Sequence, residues 1–215
     1  MASEGKVILS FHDSLLRESD VKTLDSGQWL NDQIIGFAFQ YFENEVFSEY
    51  SNQVAFLSPE VTQMIKFISS QEASMLLSAL ELSSKQLIFF AVNDSDSATA
   101  SGGSHWSTVC FNRTLQRFEH YDSLGGNNNY AAKTIVSKIA PVVQCELELL
   151  SVILCNQFRF IYSGCDCGVY VITLVELISN KILKSKKCDV MDSTEIVKTK
   201  RKEFKDTIFQ LAKKS

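Results

Sequence analysis

Residues 162–183 read Y-S-G-C-D-C-G-V-Y-V-I-T-L-V-E-L-I-S-N-K-I-L, and the fold class turns on them. The β-branched run V-Y-V-I-T favours a strand locally, but the stretch from Asp166 to Leu183 is unbroken and too long for an ordinary strand. We read it as a buried helix. That reading sets Cys167 at a helix N-terminus, where free N–H groups and the macrodipole stabilise a thiolate. It also poses a question about the pair Cys165 and Cys167: metal clip, redox couple, disulfide end or nucleophile.

Outward from this segment, the chain divides into helical and extended stretches. Gln86 to Val92 reads as a buried strand. His105–Phe111 and Gln116–Tyr121 have the aromatic and β-branched content of paired strands, joined by N-R-T-L (112–115) as a hairpin. The polar, Gly-containing stretch 93–104 reads as a surface loop leading into His105. Residues 29–42 form a helical pattern opened by Asn31 and Asp32 as caps, with Ile34, Ile35, Ala38 and Phe42 on one side. Ser58 at the N-cap and Pro59 at the first helical position announce another helix. Further helices are expected over Ala131–Gln144, although Pro141 should end or kink the first, and over Ser193–Lys214, with a strand at Glu148–Leu154. Helices surrounding strands in this order indicate an α+β domain spanning residues 1–215.

Composition narrows the function classes. The 215 residues are 45% hydrophobic and 21% charged, with a net charge of −4 and a pI near 5.4. An acidic chain argues against a nucleic-acid partner. The basic run Lys198–Lys202 reads as one solvated helix face. No stretch of ~18 apolar residues supports a membrane span. The N-terminus has no signal-peptide pattern, so the expected location is cytoplasmic or nuclear, where thiols stay reduced and sequons at Asn93 and Asn112 carry no glycan.

Reduced cysteines leave few uses for Cys165 and Cys167. Zinc needs four ligands, usually as two close pairs; here there is one close pair and three histidines, so no metal is expected. C-x-C does not match the C-x-x-C redox spacing. Cys110 and Cys145 read as buried small hydrophobes, one in a strand and one on a helix. Cys167, at a turn and followed by a glycine that would let substrate approach, fits a nucleophile that needs a base and an orienting group. His105, at the start of a strand, is the better base; His120, inside the next strand, fits a structural histidine; His12 has no context. Asp122 ends the strand paired with that of His105. Spacing alone leaves this triad open.

His105-Trp106, Tyr121-Asp122-Ser123 and Asp166-Cys167-Gly168, in that order, resemble the Ulp/SENP family of ubiquitin-like-protein cysteine proteases. W-L-N-D-Q-I-I-G-F-A-F (29–39), F-L-S-P-E-V-T-Q (56–63), G-G-S-H-W-S (102–107) and K-R-K-E-F-K-D (200–206) look like its deneddylase branch, which acts on the modifier Nedd rather than SUMO. The resemblance implies a papain-like fold of the Ulp/adenain type, a central mixed sheet flanked by helices. It implies a cofactor-free cysteine protease in which His105 is the general base, Asp122 orients it, and Cys167 attacks the carbonyl after the modifier's Gly-Gly tail. Trp29 and Trp106 would line a narrow tunnel for that tail, and Asp32 would face a basic residue upstream in it. The competing reading of Trp29 is a core aromatic at a helix start. The implied partners are Nedd and its conjugates, such as cullins, met by a monomeric enzyme without nucleic acid or membrane. The family places an oxyanion-hole Gln six residues before the nucleophile, where this chain has Ile161; Gln157 is the nearest candidate. The alternatives are a SUMO-directed protease, an inactive binder of ubiquitin-like tails, and an acyltransferase using a similar His-acid-Cys site.

Overall fold

All seven residues of strand β4 (Leu87–Asn93) are buried, and this strand organises the molecule. We describe the fold from a computed structural model, which describes residues 5–98, 102–145, 150–153, 164–186 and 193–214. Leu87, Phe89 and Ala91 face one apolar cluster, while Ile88, Phe90 and Val92 face a second. A strand covered on both faces needs no polar alternation, which is why its sequence is a continuous apolar run.

Five strands form the sheet in the order β3 (Val54–Leu57), β4, β5 (Trp106–Asn112), β6 (Arg117–Tyr121) and β7 (Leu150–Ile153). The outer pairs β3–β4 and β6–β7 are parallel; β4–β5 and β5–β6 are antiparallel. The sheet is therefore mixed. The β5–β6 hairpin expected from sequence forms with the register Thr108 opposite Tyr121, and Asn112 Oδ1 accepts from Leu115 N–H in its turn. A separate antiparallel hairpin, β1 (Val7–Phe11) with β2 (Ser14–Arg17), running into the short helix α1 (Glu18–Lys22), was not legible from the pattern.

The first cluster is capped by three helices, α2 (Asp32–Tyr41), α6 (Cys167–Leu183) and α7 (Ser193–Ala212). Its centre is aromatic. Phe56 stacks on its cross-strand partner Phe89 at 5.6 Å, and Phe204 of α7 meets the edges of Phe37, Phe42 and Tyr41. Helix α6 is buried on every side from Cys167 to Val175. A helix apolar all round belongs in a core, and enclosure between the sheet and its neighbours overrides the β-propensity of V-Y-V-I-T.

The second cluster is covered by α3 (Pro59–Phe67), α4 (Ser70–Leu77) and α5 (Asn129–Ile139). Ser58 accepts from Val61 N–H with Pro59 at the first helical position, as the sequence requires. Helix α5 stops at Ile139, short of Gln144, because residues 141–144 turn around Pro141. Cys145 is thus neither helical nor fully buried; its Sγ lies 3.5 Å from Gln116 O. Cys110 in β5 is fully buried, as expected, and burial pushes its thiol pKa well up.

The basic run on α7 departs from expectation. Lys198 and Lys202 are exposed, but Lys200 is 9% exposed between Glu176 and Glu203, and Arg201 only 5%. The helix winds these residues onto different faces, so half the run turns inward.

Candidate active site

The β4–β5 ladder ends at Asn93 opposite Trp106, so Asp94 and His105 stand at its open end. Asp94 closes the connecting loop. Its Oδ1 accepts from the N–H groups of Ser104 (2.6 Å) and His105 (2.9 Å), and its Oδ2 accepts from Ser104 Oγ–H (2.7 Å). Burial works against its charge, but these hydrogen bonds prevail and lower its pKa. Gly103 has φ +87°, and a Cβ there would run into the Asn93 side chain, so the approach to His105 depends on glycine. From α3, Gln63 and Lys66 donate to Ser95 O and hold the loop's start.

Asp122 follows the last residue of β6. Its Oδ1 accepts from His105 Nε2–H at 2.6 Å and from Leu124 N–H at 2.8 Å, and its Oδ2 accepts from Asn128 N–H at 3.0 Å. Both His105 and Asp122 are 3% exposed. Burial would raise the Asp122 pKa, yet the hydrogen bonds from His105, Asn128 and Leu124 bring it below its ordinary value. Burial likewise opposes charge on His105, but Asp122 and then Cys167 outweigh it and raise its pKa to about 9. An ionised carboxylate only accepts, so Nε2 carries the proton toward Asp122.

That leaves Nδ1, which is buried and makes no hydrogen bond of ordinary geometry. Cys167 nevertheless contributes to the raised His105 pKa, and both residues line one cavity. Nδ1 is thus the ring nitrogen left over for Cys167, whose sulfur acts on the ring from the same cavity wall. Cys167 is the first residue of α6, so its N–H is among the first-turn donors without an intrahelical acceptor. Cys165 lines a different cavity, with Leu24, Tyr170 and Arg201.

Gly168 has a different job from the one its position suggested. A Cβ there would meet Leu30 Cβ at 2.9 Å, so the glycine lets α6 pack against the segment before α2 rather than opening a path for substrate. His120 is the satisfied structural histidine: Nε2 pairs with Ser107 Oγ (2.9 Å), Nδ1 pairs with Asn129 Oδ1 (3.1 Å), and burial lowers its pKa. His12 is exposed in the β1–β2 turn.

The cavity above Cys167 measures about 740 Å³ and includes Trp29, Asp32, Gln63, Phe67, His105 and Trp106 in its wall. Each letter of W-L-N-D has a separate task. Trp29 is 51% exposed, which excludes the core reading; Leu30 is buried at 2%. Asn31 caps α2 through Ile34 N–H and donates to Asp20, and Asp32 faces the cavity from the first turn. Trp106 is half-buried, its Nε1–H donating to Leu30 O at 3.0 Å. Gln157 and Ile161 lie outside the described residues. Among the described residues no group of three or more His, Cys, Asp or Glu could hold a metal.

Sequence reasoning missed three supports: Asp94, Asn128 and Arg201. Asn128 Nδ2 bridges Val92 O, His105 O and Ser107 Oγ, tying three elements under the histidine. The G-G-N-N-N run after Asp122 signalled a turn, but not which asparagine would face inward.

A model of the Ulp1 protease family, C-terminal catalytic domain, matches residues 28–213. Sentrin-specific protease 8 of Mus musculus is 41% identical over 213 residues, covering 97% of this chain and 95% of that protein. Its Homo sapiens counterpart is 39% identical, covering 97% and 99%. NEDD8-specific protease 1 of Arabidopsis thaliana is 30% identical, covering 82% and 76%. Among solved structures, the C-terminal Ulp1 protease domain in complex with SMT3, the yeast ortholog of SUMO, superposes with a TM-score of 0.72 at 19% identity, covering 97% of this chain and 89% of that one. This last likeness concerns the fold.

Proposed function

The chain belongs to the Ulp1 protease family, and on that premise we propose that it is a deneddylase: a cysteine protease that trims the C-terminus of the ubiquitin-like modifier Nedd and releases it from conjugates. The observation that carries the reading is His105, held by Asp122 at 2.6 Å, in one cavity wall with Cys167 and both tryptophans.

In this mechanism His105 rests as imidazolium, since its pKa of about 9 lies above neutral pH, and it is the counter-charge for the Cys167 sulfur. The thiolate attacks the carbonyl carbon of the modifier's last glycine. The carbonyl oxygen becomes an oxyanion, which the Cys167 N–H at the head of α6 is placed to receive. Imidazolium Nδ1–H protonates the departing amine as the C–N bond breaks, leaving a thioester. Neutral His105 then takes a proton from water, whose oxygen attacks the thioester and restores the thiolate and the imidazolium. Asp122 keeps the ring oriented throughout, with Asn128 and Leu124 holding the carboxylate. Gln157 is the proposed second oxyanion donor.

Trp29 and Trp106 are the proposed flat walls for the side-chain-free Gly-Gly segment, and Asp32 the partner of a basic residue upstream. We take residues 1–215 as one catalytic domain working as a monomer, on Nedd conjugates such as cullins, in cytoplasm or nucleus. The pI near 5.4 supports the absence of a nucleic-acid partner. No described helix is long and apolar enough to cross a membrane. The deciding experiment is a panel of fluorogenic Nedd, SUMO and ubiquitin substrates with the purified protein. Preferential turnover of the Nedd substrate is expected; preference for SUMO assigns the runner-up substrate, and binding of Nedd without cleavage removes the protease reading.

A further inference from the structure

Arg201 of α7 lies among residues that the sequence marks as a wet helix face, yet it is 5% exposed. A guanidinium has its N–H donors in a rigid fork, and here all three nitrogens donate inward. Nε and Nη2 donate to Asp166 Oδ1 at 3.1 and 2.6 Å. Nη2 also reaches Gln28 O at 2.7 Å and Cys165 O at 3.3 Å, and Nη1 donates to Thr23 O at 2.9 Å and Asp25 O at 3.2 Å. One side chain thus holds the two residues directly before Cys167 and the residue directly before Trp29.

The acidic partner is oddly used. Asp166 occupies the N-cap of α6, where an aspartate ordinarily accepts from a first-turn N–H. It makes no such side-chain cap bond. Its carboxylate turns onto Arg201 instead, so the Asp166 side chain does not cover the head of α6, at the place where the oxyanion forms. On the other arm, the Thr23–Gln28 carbonyls lead into Trp29 and Leu30, and Leu30 O in turn anchors the Trp106 indole.

Resting on the protease reading above, we propose that Arg201 is a positioning residue that sets the nucleophile and the Trp29 wall relative to each other. It withholds Asp166 from capping α6, keeping first-turn N–H groups free for the oxyanion, and it fixes the approach to Trp29. The chemical step and tail binding then depend on one side chain of the C-terminal helix, far from both in sequence.

Asp166→Asn and Arg201→Lys separate the two arms. Asparagine keeps the volume, loses the charge that Arg201 holds and is itself a good cap, so kcat should fall by about tenfold or more, as for a small misplacement of reacting groups. Affinity for Nedd, measured in a Cys167→Ala background, should stay unchanged. Lysine cannot reproduce the fork, so Arg201→Lys should lower kcat and weaken Nedd binding together. Rates are normalised to the fraction of enzyme labelled by Nedd with a C-terminal electrophile, and affinities are compared only between variants whose folded fraction is matched by thermal melt, so unfolding alone moves neither quantity. Unchanged normalised kcat in both variants, or equal loss of binding in both, overturns the proposal. A wild-type protein that cleaves no Nedd substrate overturns the protease reading and this proposal with it.

Discussion

At the scale of single residues, the two cysteines of C-D-C, which sequence context already set apart, line different cavities. Cys167 lines the cavity with His105; Cys165 lines another. Cys167→Ala should abolish cleavage of a Nedd-type fluorogenic substrate, Cys165→Ala should leave most of it, and chelators should have no effect. Equal losses from both substitutions contradict the assignment. His105 gives a pH signature. Its pKa rises from 6.5 unfolded to about 9 folded, so the folded state binds the proton more tightly. The resulting stability is complete below the unfolded value and is lost as pH rises through the folded one. Asp122, with its lowered pKa, contributes above the ordinary carboxylate range and loses that contribution in acid. Melting temperature should therefore decline between about pH 6.5 and 9 more steeply in the wild type than in His105→Gln; parallel curves in a thermal-melt series contradict the pairing.

At the scale of elements, the decisive contact is between the head of α6 and the segment leading into α2. Gly168 exists for this contact, since a Cβ would stand 2.9 Å from Leu30 Cβ. Gly168→Ala overpacks a buried site, which costs about 1–3 kcal/mol. It also pushes Leu30, whose carbonyl seats Trp106, so denaturant unfolding should show the destabilisation and steady-state kinetics a matching fall in kcat/KM. A fully stable and active alanine variant would mean that the two segments are not held so closely. The Asp94 and Asn128 networks act at the same scale: each ties strand ends together under His105, so the histidine inherits the rigidity of β4, β5 and β6.

At the scale of the whole molecule, the cavity is a product of tertiary assembly, because the segment before α2, helix α3, the loop before β5 and the head of α6 each supply a wall. Trp29 is half exposed, so Trp29→Ala should leave the melting temperature nearly unchanged while impairing cleavage, whereas Trp106→Ala, losing its bond to Leu30 O, should lower both. Unfolding of Trp29→Ala contradicts the surface placement. The sequence by itself determined the elements whose signals are local: the Asn31 and Ser58–Pro59 helix starts, the buried β4, the β5–β6 hairpin and the α7 helix. The unbroken length of 166–183 likewise marked V-Y-V-I-T as helical against its local propensity. Spacing left the triad His105, Asp122 and Cys167 open, and it was the resemblance of the three motifs that named these residues and their order. Only the tertiary structure decided that Gly168 serves packing, that Cys145 leaves its helix, and that Arg201 turns inward. The physical reason is common to these cases. Periodicity specifies which face of an element is apolar, but which distant segment covers that face, or receives a guanidinium, is settled only when residues such as 28, 166 and 201 meet in space.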